Sequence, residues 1–236
     1  MRNSSKCKRC NDTTFISTEA GFKRCECYQI EMTNKQWAKF GVNTEDLKPL
    51  KDYKDTNEWQ GVALYEAKKY IKEFGNLGHD INICFMGQSG AGKTHLTTAI
   101  GANLFKSKKC VDMVYMPYVE VMKTLKSLAS DEVLYKNEVE KYLTTKLLII
   151  DDLFKDKTKN GKLIGELKET DIKHIYPIIN HRYINNLPTI FSTECIPTML
   201  FELDEALAGR ILEKSRTVVF KYGKENNYRM KNISEV

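Results

Sequence analysis

The segment from Gly87 to Thr94 has the residue types and spacing of a phosphate-binding loop. It lies between an apolar run and a helix-like pattern, and with the next residue it reads Gly87-Gln88-Ser89-Gly90-Ala91-Gly92-Lys93-Thr94-His95. Glycines let backbone N–H groups turn toward a phosphate chain, and the following helix presents its positive N-terminal end. Lys93 would reach the β- and γ-phosphates, and the Thr94 hydroxyl would bind Mg²⁺. We therefore predict that these nine residues bind a nucleoside triphosphate with Mg²⁺.

Two acids follow a second apolar run, residues 147–150. Asp151 and Asp152 end this strand-like segment, and ligands of parallel sheets bind at the carboxyl ends of the strands. Asp151 would hold Mg²⁺, directly or through water, and Asp152 would orient and deprotonate the attacking water. The competing interpretation is a pair of solvated carboxylates at a strand end. Together with the loop, the acids predict a Mg²⁺-dependent hydrolase.

Two later positions could act on the same phosphates. The run 188–194 ends in polar groups, and Ser192 and Glu194 among them could bridge the water and the γ-phosphate. Arg210 lies in a helix-like segment among apolar or small neighbours, and an arginine of this kind stabilises charge on a transferring phosphoryl group, usually from a neighbouring subunit. The alternative for Arg210 is an ordinary surface ion pair with a nearby glutamate.

Four of the seven cysteines lie within the first 27 residues, as Cys7, Cys10, Cys25 and Cys27. In a reducing compartment, CxxC and CxC pairs of this kind favour a tetrahedral Zn²⁺ site over disulfides. A module this small has almost no core of its own, so the metal would supply its folding energy. The lysines and arginines around the cysteines would contact phosphate or an acidic protein face, or they would only balance the charge of four thiolates.

Composition sets the outer limits. The chain has 236 residues and a net charge of +6, which is sufficient for one sizeable α/β core with a small appendage and permits a nucleic-acid partner. No apolar run approaches the roughly 18 residues of a membrane span, and no signal-peptide core follows the N-terminus. We therefore expect a cytoplasmic protein.

Apolar runs and amphipathic segments then alternate, which predicts a parallel sheet covered on both faces. Strands are expected near 81–86, 111–116, 147–150, 188–193 and 217–222, and helices near 28–40, 58–74, 94–107, 118–129, 132–143, 171–184 and 204–214. The segment 155–170 is expected to be a mobile loop, and Pro177 predicts a kink or a late helix start. The predicted division is a zinc-binding module at 1–30, a linker at 31–57 and a core at 58–236.

Five features follow one another along the chain in this order: the cysteines, GQSGAGKT, IIDD, TIFSTE and EALAGRI. With these features the chain resembles the AAA+ helicase loaders of the DnaC/DnaI type, particularly the short forms of phages and prophages, which are related to IstB ATPases. The resemblance implies a three-layer core with a five-stranded parallel sheet and no C-terminal helical lid. It implies that the protein binds and hydrolyses ATP, that it forms an ATP-dependent homo-oligomer with Arg210 facing the next subunit, and that it loads a replicative DNA helicase onto single-stranded DNA. The zinc module would dock the helicase.

The same resemblance assigns further candidates and shows where this chain departs from the family. Many relatives have glutamate at Asp152 and asparagine at Glu194. The second sensor arginine of the family is unassigned in this chain, and Arg229 is a candidate for a contact near the end of the chain. The helical pair 118–143 occupies the position of a DNA- and oligomer-contacting insertion, with Tyr118, Lys123 and Lys126 as candidates. Packing on the sheet is the alternative for this pair.

Three other functions stay open from the sequence. An IstB-type transposition helper would share the core but serve a transposase. A small-molecule kinase needs an arginine-rich lid, whereas the segment 155–170 has five lysines and no arginine. A slowly hydrolysing, nucleotide-dependent binding scaffold is the third, and the short side chain of Asp152 is compatible with it.

Overall fold

The computed structural model describes residues 7–44, 47–76, 78 and 81–229. Residues 1–6 of the predicted zinc-binding module and residues 230–236 of the predicted core lie outside this range. The chain begins with an antiparallel hairpin of β1 (Phe15–Thr18) and β2 (Gly21–Arg24), which lies between the two cysteine pairs. The core strands are β3 (Asn82–Gly87), β4 (Met113–Pro117), β5 (Leu147–Leu153), β8 (Thr189–Thr193) and β9 (Ser215–Phe220). Two very short strands, β6 (Thr158–Lys159) and β7 (Lys162–Leu163), form a second hairpin.

Eight helices accompany these strands in the described part of the chain. They are α1 (Glu26–Ala38), α2 (Glu58–Glu73), α3 (Lys93–Lys106), α4 (Tyr118–Ser127), α5 (Glu132–Thr144), α6 (Glu169–Ile184), α7 (Pro197–Leu203) and α8 (Glu205–Leu212). Short 3-10 turns cover Leu50–Asp52, Lys155–Lys157 and Lys224–Asn226. None of these helices combines the length and the apolar character that crossing a bilayer requires.

The five core strands form one parallel sheet in the order β4-β5-β8-β3-β9. Side chains alternate across it: Cys84 and Met86 of β3 belong to one buried cluster, and Ile83 and Phe85 belong to another. Helices α4 to α8 cover the first face, and α1, α2 and α3 cover the second. This three-layer arrangement confirms the predicted α/β fold and its five parallel strands.

The register of the inner strands brings the predicted chemistry to one edge of the sheet. Met86 of β3 pairs with Thr193 of β8, and Ile150 of β5 pairs with Phe191 of β8. Because parallel strands end at the same edge, the loop after β3 lies beside the acids of β5 and the polar end of β8.

Helix α1 packs on the outer strand β4. Trp37 is fully buried and its ring lies 5.4 Å from that of Tyr115. The Gln36 side chain donates to the Tyr115 carbonyl at 2.6 Å and accepts from the Tyr115 N–H at 2.9 Å. An amide side chain thereby satisfies two backbone groups that an outer strand would leave unpaired. The boundary predicted at residue 30 falls inside this helix.

The structure differs from the sequence-based expectation in three places. The segment expected to be a mobile loop forms the turn Lys155–Lys157 and the β6-β7 hairpin. Helix α6 begins at Glu169 and continues through Pro177, and the carbonyl that this proline leaves unpaired belongs to the exposed Lys173, where water can reach it. One helix, α7, was not expected, although Pro197 at its first turn is a typical start signal. After β9 the described residues contain one 3-10 turn and no helical lid.

Candidate nucleotide-binding site

The loop between β3 and α3 has the backbone shape that its glycines allow. Gly87 has φ 103°, and a Cβ atom at this position would lie 2.2 Å from the Phe220 carbonyl oxygen of β9. Gly92 has φ 86° and caps α3, where a Cβ atom would meet the rings of Tyr53 and Tyr228 at 2.8 and 3.0 Å. Both positions therefore require glycine for conformation and for space. Helix α3 begins at Lys93, so its positive N-terminal end faces the loop.

Lys93 is the buried cation of this loop. Its ammonium donates to the carbonyls of Gly87 and Gln88, both at 2.8 Å. Burial lowers the pKa of Lys93 to about 8, against the opposing charge of Asp152. The lysine is thus fixed at the centre of the loop, where a phosphate chain would be its counter-charge.

Asp151 is a buried carboxylate with three hydroxyl donors. Thr94 Oγ1 donates to it at 3.1 Å, Tyr115 Oη donates at 2.8 Å, and the Ser192 hydroxyl donates to the same oxygen as Thr94. Burial raises the pKa of Asp151 and the hydrogen bonds oppose that rise, with the bond from Ser192 the strongest of them. A carboxylate and a threonine hydroxyl in contact are a donor set that suits Mg²⁺.

Asp152 lies at an irregularity of β5. The pairing with β8 shifts register between Ile150 and Leu153, and Asp152 has a left-handed backbone with φ 53°. Its N–H donates to the Ser192 hydroxyl at 2.9 Å. The bulge turns Asp152 out of the strand alternation, and its side chain lines the same cleft as Lys93 and Thr94.

Glu194 comes directly after β8 and is buried. It forms an ion pair with Lys155, which lies on the turn that follows β5. Thr158 Oγ1 lies 3.5 Å from its other oxygen. Both members of the pair line the nucleotide cleft. The sequence pointed to Glu194 but not to Lys155, because the pairing depends on the β5-β8 neighbourhood.

The cleft over the loop has a volume of about 560 Å³. Its wall includes Tyr53, His95 and Tyr228, whose rings meet edge to face at 5.6 and 5.8 Å. Tyr228 N–H donates to the Gly90 carbonyl at 2.9 Å, and Tyr53 Oη donates to the Ala91 carbonyl at 3.2 Å. One residue before α2 and one after β9 thereby frame the loop. Sequence reasoning did not assign Tyr53 and Tyr228, and no local pattern marks them.

The other loop and tail candidates are distributed around this cleft. Ser89 and Arg229 line it. The side chain of Gln88 instead contacts the segment that follows β9. It donates to the Gly223 carbonyl at 2.8 Å and accepts from the Gly223 N–H at 2.7 Å. The loop is therefore braced by the segment that follows β9.

Arg210 lies on α8, outside the nucleotide cleft of its own chain. Its Nε donates to Asn180 Oδ1 at 2.7 Å, Nη1 donates to the Ala206 carbonyl at 2.9 Å, and the guanidinium lies 4.9 Å from the Tyr176 ring centroid. These contacts differ from the glutamate ion pair considered as the alternative. They fix the guanidinium at the surface of the α6-α8 layer.

The helical candidates for DNA contact have three different environments. Tyr118 is buried against Phe154, with ring centroids 5.4 Å apart, so its ring does not face solvent. Lys126 forms an ion pair with Asp171 of α6. Lys123 is exposed on α4.

The four N-terminal cysteines converge as a possible metal centre. Their sulfur atoms all lie within 4.8 Å of one another. Cys7 and Cys25 are 3.9 Å apart, and Cys10 and Cys27 are 3.4 Å apart. Tetrahedral zinc with Zn–S bonds of about 2.3 Å places its sulfurs roughly 3.8 Å apart, so this donor set fits Zn²⁺.

Comparison with known proteins gives this arrangement a family. The family of IstB-like ATP binding proteins matches residues 67–235. The protein YqaM of Bacillus subtilis (strain 168) is 34% identical over 84% of this chain and 62% of its own length. The phage-like element PBSX protein XkdC of the same strain is 32% identical over 88% of this chain and 78% of its own. The replicative helicase loader DnaI of that strain is 25% identical over 68% of this chain and 51% of its own. This chain therefore spans less than two thirds of YqaM and about half of DnaI.

Solved structures share the fold. The crystal structure of the DnaC helicase loader superposes with a TM-score of 0.59 at 22% identity, over 73% of this chain and 96% of that one. AMPPCP-bound DnaA from Aquifex aeolicus superposes with a TM-score of 0.60 at 20% identity, over 77% of this chain and 53% of that one. The chain thus belongs to the family of IstB-like ATP-binding proteins, and its core has the AAA+ fold seen in the DnaC helicase loader.

Proposed function

We propose that this protein is a cytoplasmic, ATP-dependent replication factor that binds a replicative DNA helicase and loads it onto single-stranded DNA. The observation that carries the proposal is the triphosphate site, in which Lys93, Thr94, Asp151 and Asp152 meet at one sheet edge. The relative DnaI is named a replicative helicase loader, which supplies the direction of the proposal. ATP binding would control assembly with the helicase, and hydrolysis would release the loader.

Thr94 and Asp151 are the proposed Mg²⁺ ligands. Their contact at 3.1 Å brings a hydroxyl and a carboxylate oxygen to one point, and Mg²⁺ prefers a few such oxygens with water in its remaining positions. Thr94 and Asp151 would hold Mg²⁺ there, and the ion would supply positive charge that offsets the phosphates. Tyr115 and Ser192 orient the Asp151 carboxylate, and Asp152 would act on the attacking water.

The cysteine cluster with its hairpin is the proposed zinc module and helicase-docking part. Phe22 at the hairpin is 80% exposed, and Arg24, two residues further along β2 and therefore on the same face, is also exposed. An exposed aromatic ring beside a cation suits contact with a protein surface that is partly apolar and partly acidic. In this proposal the four cysteines, with Zn²⁺ bound, would hold the hairpin rigid, so that Phe22 and Arg24 are presented on one face.

ATP-dependent self-assembly is the second part of the proposal. Arg210 is held by Asn180 and Ala206 at a surface away from its own cleft, so it would act on the nucleotide of a neighbouring subunit. A fixed guanidinium loses little side-chain freedom when it meets a phosphate. Lys123, exposed on α4, is the proposed contact to single-stranded DNA, since a phosphate backbone requires accessible cations.

Complex formation with the helicase tests this function. The full chain is mixed with the replicative helicase of its host, with and without ATP and Mg²⁺, and the mass of the complex is measured by light scattering after gel filtration. We expect a stable complex whose affinity changes with ATP, and loss of that ATP dependence in Lys93→Ala. Absence of any complex under both conditions would contradict the proposal.

A transposition helper is the second candidate function, because the matching family is described as IstB-like. The same measurement with a transposase in place of the helicase separates the two. A nucleotide-dependent scaffold would bind the helicase with ATP but show no release on prolonged incubation, since release requires hydrolysis.

A further inference from the structure

We propose that Lys155 is a γ-phosphate-binding residue supplied by the same chain, and that Glu194 holds its ammonium beside the nucleotide. This inference deepens the proposed ATPase site and rests on it. The two side chains form an ion pair where β5 and β8 end. Glu194 is only 5% exposed, whereas the Lys155 side chain is 36% exposed. The buried carboxylate therefore anchors an ammonium that keeps an open side.

The open side of Lys155 belongs to the nucleotide cleft. Lys155 lines this cleft together with Lys93, Thr94 and Asp152. Lys93 and Thr94 are the loop residues that would contact the terminal phosphates and their Mg²⁺.

The turn that carries Lys155 is held on both sides. Phe154 has a left-handed backbone with φ 59° and is buried against Tyr118. Lys157 pairs with Asp171 of α6 at 2.9 Å, and Asp171 is itself buried. The turn thereby packs into the face of the sheet that α4 and α6 cover. Lys155 differs in this respect from a solvated surface lysine, because its backbone position is fixed relative to β8.

The chemistry of the pair suits a triphosphate that ends in a γ-phosphate. Glu194 alone would repel a phosphate, whereas an ammonium has three N–H donors and can hold the carboxylate and a phosphate oxygen together. ADP lacks the γ-phosphate, so Lys155 would distinguish ATP from ADP. Charge that develops on the transferring phosphoryl group would be stabilised by the same ammonium. This cation is present in every subunit, while Arg210 would come from a neighbour.

The substitution Lys155→Met tests the assignment, with Lys159→Met as the matched control. Lys159 is exposed on the adjacent β6 strand and does not line the nucleotide cleft. It therefore has the same charge as Lys155 but would not contact the nucleotide. Calorimetric titration measures the affinity for AMPPCP and for ADP, each with Mg²⁺. We expect Lys155→Met to weaken AMPPCP binding by about 10- to 100-fold, the range for a hydrogen bond to a charged group. ADP affinity should change less than about twofold, and Lys159→Met should bind both nucleotides like the parent.

A double-mutant cycle with Glu194→Gln excludes an indirect effect. If Lys155 contacts the γ-phosphate, Lys155→Met still weakens AMPPCP binding when Glu194 is replaced by Gln. If Lys155 only neutralises Glu194, that loss disappears in the Glu194→Gln background, and the assignment is overturned. Equal AMPPCP affinity for Lys155→Met and Lys159→Met also overturns it. Failure of the proposed nucleotide site is distinguishable, since the parent protein itself would then bind neither nucleotide. Failure of the helicase-loading function would leave these titrations unchanged, because the alternative functions also use bound ATP.

Discussion

The backbone N–H of Asp152 donates a hydrogen bond to the Ser192 hydroxyl at 2.9 Å, and the same hydroxyl donates to the carboxylate of Asp151. One side chain of β8 therefore holds both acids of β5. The left-handed backbone of Asp152, at φ 53°, is a conformation that costs about 1–3 kcal/mol at most residues other than glycine. Ser192 and the register shift stabilise it, and the result is an Asp152 side chain placed at the cleft.

Substitutions at Lys93 and Asp152 separate nucleotide binding from hydrolysis. We expect Lys93→Ala to abolish ATP binding, because in the proposed site the buried ammonium would contact the ground-state phosphates. Asp152→Asn should preserve ATP affinity and stop turnover, because in the proposed site this carboxylate would act on water only as the bond breaks. Equilibrium titration with AMPPCP and a phosphate-release assay check the two properties. Equal loss of affinity in both variants would show that the roles are assigned wrongly.

The burial of Lys93 predicts a pH dependence of stability. The pKa of Lys93 is lowered to about 8 in the folded protein, below the value of about 10.4 in an unfolded chain. Between these values the unfolded state binds more protons, so the free energy of unfolding rises with pH in this window. Below pH 8 the full cost of burying the charge is present.

Urea unfolding of the parent and of Lys93→Met from pH 7 to 10.5 measures this effect. The difference in the free energy of unfolding, parent minus variant, should rise with pH, by at most about 3 kcal/mol for the whole shift. Buried tyrosines also lower stability at high pH, but they are present in both proteins and cancel in the difference. A difference that stays flat over this range would place the ammonium in water.

Arg210→Ala should leave the ATP affinity of the monomer nearly unchanged but lower turnover and assembly. An arginine finger from a neighbouring subunit acts only when the subunits are in contact, and it increases the rate of hydrolysis by about 10³-fold or more in strong cases. Turnover per subunit in the parent should therefore rise with protein concentration. Asn180→Ala is a second variant, because it removes the 2.7 Å contact that orients Arg210 and should give a smaller loss in the same direction. An ATPase rate independent of concentration and of both substitutions would remove Arg210 from the site.

The substitution Cys10→Ser tests the zinc module. We expect about one zinc per chain in the parent and much less in the variant, with unfolding confined to the N-terminal module. ATP binding should survive, because the core has its own sheet, while affinity for the helicase falls. Phe22→Ala is the matched control for the docking face, since it should keep the zinc and still weaken the helicase complex. Freshly purified parent protein without zinc would rule out the metal site.

Much of the nucleotide site could be predicted because its signals are local in the sequence. The spacing from Gly87 to Thr94 and the acids after the apolar run define the loop and the strand end without knowledge of other contacts. The start of α8 was also marked, since the Asp204 side chain accepts from the Leu207 N–H at 2.8 Å as an N-cap.

The features that the sequence did not predict depend on contacts between segments that are distant in the chain. Gln36 replaces a strand partner for Tyr115, 79 residues away, and Tyr228 reaches the Gly90 carbonyl across most of the core. Neither contact follows from periodicity or from a motif. The ion pair of Lys155 with Glu194 was hidden for a similar reason, because a lysine-rich segment with a glycine looks like a mobile loop until β5 and β8 are known to be neighbours.

Loading itself tests the central claim most directly. The host helicase is incubated with closed circular single-stranded DNA, which offers no free end, and the helicase that remains on the circles after gel filtration is quantified. We predict that the parent protein with ATP and Mg²⁺ increases this amount over helicase alone, and that Lys93→Ala does not. Equal amounts of helicase on the circles with and without the parent protein would contradict a role in loading.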